Sequence, residues 1–281
     1  MFARALILLI FSINLFAIDF KLLNEFMFKI DLKKQYKHGN VIQGITNIDN
    51  KWIVSQTSAN KKLIITFLDT KGSVLNNEVL NYPSHGQDLS IKYLSKNSFY
   101  LLTSSKKNMG LSIFKVNRFE TKKITFYKDI NISYGFNTPA ISKDGRYIVI
   151  KNYNQINIYS YNDLIKNKNK RPLYSFLLDK IQQNKNEWFQ GIAMKNGYIY
   201  CLSGNNQLDS LKHLIIYDTF GNIIKNYELN IGKEFALKEG NKLELEGLTL
   251  KRNTLYTTVM TGYNGKNIKR LYKILDILYD K

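Results

Sequence analysis

The chain has 281 residues, 44% hydrophobic and 22% charged, and its 41 Lys and Arg against 22 Asp and Glu give a formal net charge of +19. A single cysteine, Cys201, excludes an internal disulfide, and the three histidines, His38, His85 and His213, are too far apart for a zinc site. Six of the 41 basic residues are Arg; a Lys-dominated mix lacks the bidentate forks that nucleic-acid readers favour, so nucleic acid is not expected as a partner.

Residues 1–17 carry Arg4, an apolar run from Ala5 to Phe16 and a small residue, Ala17, at a plausible cleavage point. This pattern reads as an export signal, too short to span a bilayer comfortably, and no later stretch is apolar enough to cross one. The mature chain is expected to start near Ile18, to run as one domain over 18–281, and to work in the periplasm or outside the cell.

After an alternating stretch, Phe26 to Leu32, a short phrase recurs: Gln43-Gly44-Ile45-Thr46, Gln87-Asp88-Leu89-Ser90, Thr138-Pro139-Ala140-Ile141, Gln190-Gly191-Ile192-Ala193 and Glu246-Gly247-Leu248-Thr249. The steps are 44, 51, 52 and 56 residues, the length of a four-stranded antiparallel sheet with its turns. The fold class is therefore all-β, a five-bladed β-propeller. The first repeat continues with strands 51–54 and 62–68, the turn Asp69-Thr70-Lys71-Gly72 and an outer strand 73–80. The third has a turn at Lys143-Asp144-Gly145 and an insertion over 166–172. The fourth shows all four strands, with Cys201 in the second, read as a buried apolar residue, and a hairpin turn over 218–222.

The fifth repeat offers only three strands, the last from Arg270 to Ile277. The unpaired N-terminal strand is expected to supply its outer strand and close the ring.

Inner strands of a propeller surround its axis, so the five lead residues Gln43, Gln87, Thr138, Gln190 and Glu246, with His85, Asp88, Asn137 and Glu244 beside them, form the candidate ligand-binding set at one mouth. Amides and hydroxyls suit hydrogen bonding to sugar hydroxyls and are weak acid–base catalysts. No catalytic residue, metal ligand or cofactor is assigned on this reading. The alternative gives Asp88 and Glu246 a catalytic or Ca²⁺-binding role, as a Ca²⁺-dependent phosphoesterase or a glycosidase, with Asp209 or Glu187 as a further acid from a loop. Tyr82, Tyr134, Trp188 and Tyr263, near turns, are secondary candidates for stacking on sugar rings.

Gln43-Gly44-Ile45, His85-Gly86-Gln87-Asp88-Leu89, Gln190-Gly191-Ile192 and Glu244-Leu245-Glu246-Gly247-Leu248 resemble the five-bladed propellers of helveticin-type bacteriocins, teichoic acid biosynthesis protein C and the receptor-binding heads of staphylococcal phages. Leu245 departs from the Glu-Pro-Glu-Gly pattern of that group. The resemblance implies contact with cell-wall polymers or a cell-surface receptor and carries over no catalytic residue. Together with the cationic surface, it makes an envelope glycan or another anionic surface polymer the expected partner, bound without catalysis.

Overall fold

A computed structural model of the chain describes residues 18–30, 32, 41–58, 62–84, 86–105, 110–117, 123–132, 135, 137–178, 188–262 and 267–279. The expected export signal, His38, His85, Tyr134, Glu187 and Tyr263 lie outside these residues.

The N-terminal strand β1 (Ile18–Ile30) precedes four blades, each a meander of four antiparallel strands. Blade 1 comprises β2 (Ile42–Ile48), β3 (Lys51–Thr57), β4 (Lys62–Leu68) and β5 (Val74–Pro83); blade 2 comprises β6 (Ser90–Ser95), β7 (Ser98–Ser105), β8 (Gly110–Asn117) and β9 (Ile124–Asn131). Blade 3 comprises β10 (Asn137–Ile141), β11 (Tyr147–Asn152), β12 (Gln155–Ser160) and β13 (Tyr174–Leu177), and blade 4 comprises β14 (Trp188–Lys195), β15 (Tyr198–Gly204), β16 (His213–Tyr217) and β17 (Ile223–Glu228). Blade 5 is ordered β18 (Leu243–Lys251), β19 (Thr254–Thr261), β20 (Ile268–Tyr279), then β1.

Middle strands such as Lys62–Leu68 and His213–Tyr217 are almost continuously apolar and buried, because a blade is covered by neighbours on both faces. The outermost strands face solvent on one side, and Ile223–Glu228 is almost wholly exposed. Two outer hairpins share one device. The Asp69 carboxylate accepts from the Lys71 and Ser73 amides, both at 2.8 Å, and Asp218 does the same for Phe220 and Asn222 at 2.8 and 2.9 Å. Each Asp turn ends on a left-handed glycine, Gly72 or Gly221. In blade 3 a helix, α1 (Tyr161–Ile165), precedes the expected insertion, which is irregular over 166–172; the helix is capped by the Ser160 hydroxyl, which accepts from the Asp163 amide, and it buries Tyr161 and Leu164.

Ring closure follows the strand count. β1 runs antiparallel along β20, from Ile18 opposite Tyr279 to Ile30 opposite Lys269. The strand is longer than the expected Phe26 to Leu32: it begins at Ile18 and ends at Ile30. Register shifts between Leu22 and Glu25 and between Phe26 and Phe28 break the alternation that marks a strand in sequence, with Asn24 at φ 55°. The early part is secured by Phe20, whose ring stands edge-on to Tyr198 and Tyr200 of blade 4 at 6.0 and 6.3 Å.

The five largest buried apolar clusters correspond to the five seams between blades. The seam from blade 5 to blade 1 joins Ile30, Tyr256 and Leu271 to Ile42, Ile45, Trp52, Val54 and Leu68. The seam from blade 4 to blade 5 also takes in Ala236 of α2 (Lys233–Glu239). Cys201 is fully buried in the seam between blades 3 and 4, and burial pushes its thiol up to about 12, as expected of an inert core residue.

Candidate functional site

The recurring phrase lies at the ring's axis. A β-bulge falls on it in three blades, with register shifts between Ile42 and Gly44, Phe189 and Ile192, and Glu246 and Leu248. Inner strands of neighbouring blades touch there backbone to backbone. A Cβ on Gly44 would stand 2.4 Å from the Asp88 Cα, and one on Gly191 would stand 2.5 Å from the Leu248 nitrogen. Glycine is required at both positions because any side chain would push the blades apart.

Asp88 seals this contact. Its amide donates to the Gln43 carbonyl of blade 1 at 2.8 Å. Its carboxylate accepts from its neighbour Leu89 at 2.9 Å and, across the axis, from the Ile192 amide of blade 4 at 3.0 Å; the Leu248 amide of blade 5 also bonds it. Its carbonyl accepts from the Thr103 hydroxyl at 2.9 Å. The residue takes φ 52°, a left-handed conformation that Asp tolerates better than most. The expected polar mouth is thus filled at its centre by Asp88, whose amide and carboxylate together tie four blades.

Burial dominates the electrostatics. It raises the Asp88 carboxyl to about 7 against the lowering effect of three amides and Lys151, and it pulls the buried Lys151 ammonium down to about 8. Glu246 is raised well above the ordinary carboxylate range, by burial first and then by repulsion from Glu244 and Asp88. Its carbonyl is fixed by the Thr258 hydroxyl at 2.5 Å. Glu244, two residues before Glu246 on the same strand, pairs with Lys242 at 3.0 Å. Among the described residues no group of three His, Cys, Asp or Glu is placed to hold a metal ion, and the amides aimed at Asp88 present positive dipole ends where a cation would have to sit.

The bulges divide the expected set. Asp88 and Glu246 are 1% and 4% exposed, and Asn137 and Thr138 are fully buried. Asn137 donates to the Gly135 carbonyl at 3.1 Å, whereas the Thr138 hydroxyl has no partner among the described residues. Gln43, Gln87, Gln190 and Glu244 are half-buried, and among the described residues the three glutamine side chains make no hydrogen bond. Trp188 begins β14 beside Gln190 and is half exposed. Tyr82 is a core residue bonded to Asp129 and, at 3.0 Å, to Ser105, and Asp209 is exposed in a loop of blade 4. Sequence reasoning missed Lys151, whose place directly after the apolar run Tyr147-Ile148-Val149-Ile150 within β11 was the available signal.

Residues 41–275 match the family described as the phage five-bladed β-propeller receptor-binding platform domain. Among solved structures, the tail fibre of Staphylococcus aureus phage P68 superposes with a TM-score of 0.64 at 21% identity, covering 97% of this chain and 56% of that one. A GH43 glycoside hydrolase engineered to display both endo-xylanase and exo-arabinofuranosidase activity gives a TM-score of 0.56 at 10% identity, over 94% of this chain and 55% of that one. A GH43_1 enzyme from Xanthomonas citri gives 0.54 at 8% identity, over 87% and 89%. At these identities the likeness is one of fold, and the chain spans little more than half the length of the first two proteins. No curated protein matches the chain.

Proposed function

Because the chain belongs to the family of phage five-bladed β-propeller receptor-binding platform domains, we propose that it binds a glycan or anionic component of a cell envelope, without catalysis, on the face where the inner strands begin. The observation that carries this reading is the trio Gln43, Gln87 and Gln190: three half-buried amides from three blades, with no side-chain hydrogen bond to any described residue. Each amide can donate twice and accept twice, which matches the paired donor and acceptor character of sugar hydroxyls. Trp188 adds an exposed ring beside Gln190 on which a sugar face can stack. The net charge of +19 favours encounter with anionic polymers in a salt-dependent way. The binding event belongs outside the cell that makes the protein, at a surface it meets.

The hydrolase alternative gains nothing from the two inward acids. Asp88 and Glu246 are enclosed, and the Asp88 oxygens are already taken up by backbone amides. Titrating soluble envelope polysaccharide against the protein while following Trp188 emission tests the proposal. Substituting all three glutamines by Ala should weaken binding by about ten-fold or more, since each net hydrogen bond contributes roughly 0.5–1.5 kcal/mol. Unchanged affinity in that variant would remove the glutamine face from the account.

A further inference from the structure

The axis has a second end. Beyond the sealed level of Gly44, Asp88 and Gly191, the inner strands splay toward their first turns and surround a funnel of about 190 Å³ lined by all five blades. By liquid volume this is room for roughly six waters. Three hydroxyls on its wall come from different blades. Ser90 accepts from the Ile141 amide at 2.9 Å, and Thr249 accepts from the Asn47 side chain at 3.2 Å, so each has its proton left to donate. The Thr46 hydroxyl makes no hydrogen bond to any described residue.

The rim is cationic. Each of the five turns that follow an inner strand brings a lysine: Lys51, Lys96, Lys143, Lys195 and Lys251. Two of these have structural work. Lys195 is 1% exposed and donates to the Arg252 carbonyl at 3.2 Å and the Asn253 side chain at 2.5 Å, while Lys251 lies 4.7 Å over the Trp52 ring. Lys143 lines the funnel and makes no hydrogen bond or ion pair with any described residue. It stands close enough to Lys195 to add to burial in pulling that ammonium down to about 8. Among the described residues of these turns the acids are Asp49 and Asp144, and Asp144 is engaged by Arg146 and Ser142, both at 2.6 Å. The Asp88 carboxylate beneath the floor is turned to the amides of Leu89 and Ile192.

We propose that this funnel is a binding site for a phosphate group, held by the Lys143 ammonium and the hydroxyls of Thr46, Ser90 and Thr249. Donors from four blades around one funnel suit a tetrahedral oxyanion, whose oxygens diverge to meet them, better than a planar carboxylate. The site lies at the opposite end of the axis from the glutamine face and does not rest on it.

The test is a thermal-shift and calorimetric titration of the whole protein with inorganic phosphate and, separately, glycerophosphoglycerol, each against sodium chloride of equal ionic strength. Phosphate is expected to raise the Tm saturably beyond the chloride control. Lys143→Gln should weaken it about ten-fold or more, as expected for loss of a charge-assisted bond. Thr46→Val should weaken it less, and the triple glutamine variant should bind it unchanged. Binding of the diester as tightly as inorganic phosphate would mark a phosphodiester polymer as the source, and binding of inorganic phosphate alone would mark the free anion. No saturable shift beyond chloride, equal affinity in Lys143→Gln, or loss of phosphate binding in the glutamine variant would overturn the site.

Discussion

Replacing Asp88 strikes the point where four blades meet. In Asp88→Ala the amides of Ile192, Leu89 and Leu248 lose their acceptor in a fully buried place, at about 1–3 kcal/mol for each group left unpaired. Lys151 loses the Asp88 charge that favours its ammonium, and Ala must hold φ 52° at a further cost of about 1 kcal/mol. With some amides regaining water, a net loss of about 3–6 kcal/mol is expected, read as the shift in urea midpoint at unchanged m-value. Asp88→Asn adds a pH signature. Because burial raises the folded-state carboxyl to about 7 from 3.8, the folded protein holds a proton that the unfolded chain has released between those values. The contribution of this group therefore favours the fold at low pH and fades as pH rises toward 7, by up to about 1.4 kcal/mol per pH unit. The Asn variant cannot titrate, so its deficit relative to the parent should shrink across that window. Parallel pH profiles for parent and Asn variant, or an Ala variant within about 1 kcal/mol of the parent, would refute the axial tie.

Deleting residues 18–30 removes the outer strand of blade 5 together with buried Phe20 and Ile30; at about 1.5–3 kcal/mol for each large apolar side chain, plus an exposed strand edge, the truncated protein should be insoluble or melt far below the parent in calorimetry. Gly44→Ala places a methyl 2.4 Å from the Asp88 backbone, so the seam between blades 1 and 2 must open, and a Tm drop of several degrees is expected in calorimetry. Added Ca²⁺ or a chelator should leave the Tm unchanged, because the inward carboxylate of Asp88 is already coordinated by amides.

The architecture was legible because the phrase around Gly44, Gly191 and Gly247 marks a geometric necessity, the close approach of inner strands, and necessity of that kind repeats. The closing strand was legible from the missing fourth strand of blade 5, but its start was not, since the bulges at Leu22 and Phe26 erase the period-two pattern. The site was read less well. Sequence spacing puts Gln43, Gln87, Thr138, Gln190 and Glu246 in equivalent places, whereas bulges and the left-handed Asp88 turn some inward and leave others at the surface. The funnel at the other end escaped notice because its lysines belong to a chain already rich in lysine, and only three dimensions separate Lys143 from those that stitch neighbouring blades.

The central claim, that the glutamine face recognises an envelope component, is tested most directly by titrating purified envelope polysaccharide against the parent and the Gln43, Gln87, Gln190 triple Ala variant, with binding read from Trp188 emission and from calorimetry. Half-exposed Trp188 should respond to ligand while buried Trp52 provides a constant background. The account predicts saturable binding by the parent, weakened by added salt if the polymer is anionic, and a loss of about ten-fold or more in the variant with its Tm unchanged. Saturable binding of equal strength in both proteins would contradict it.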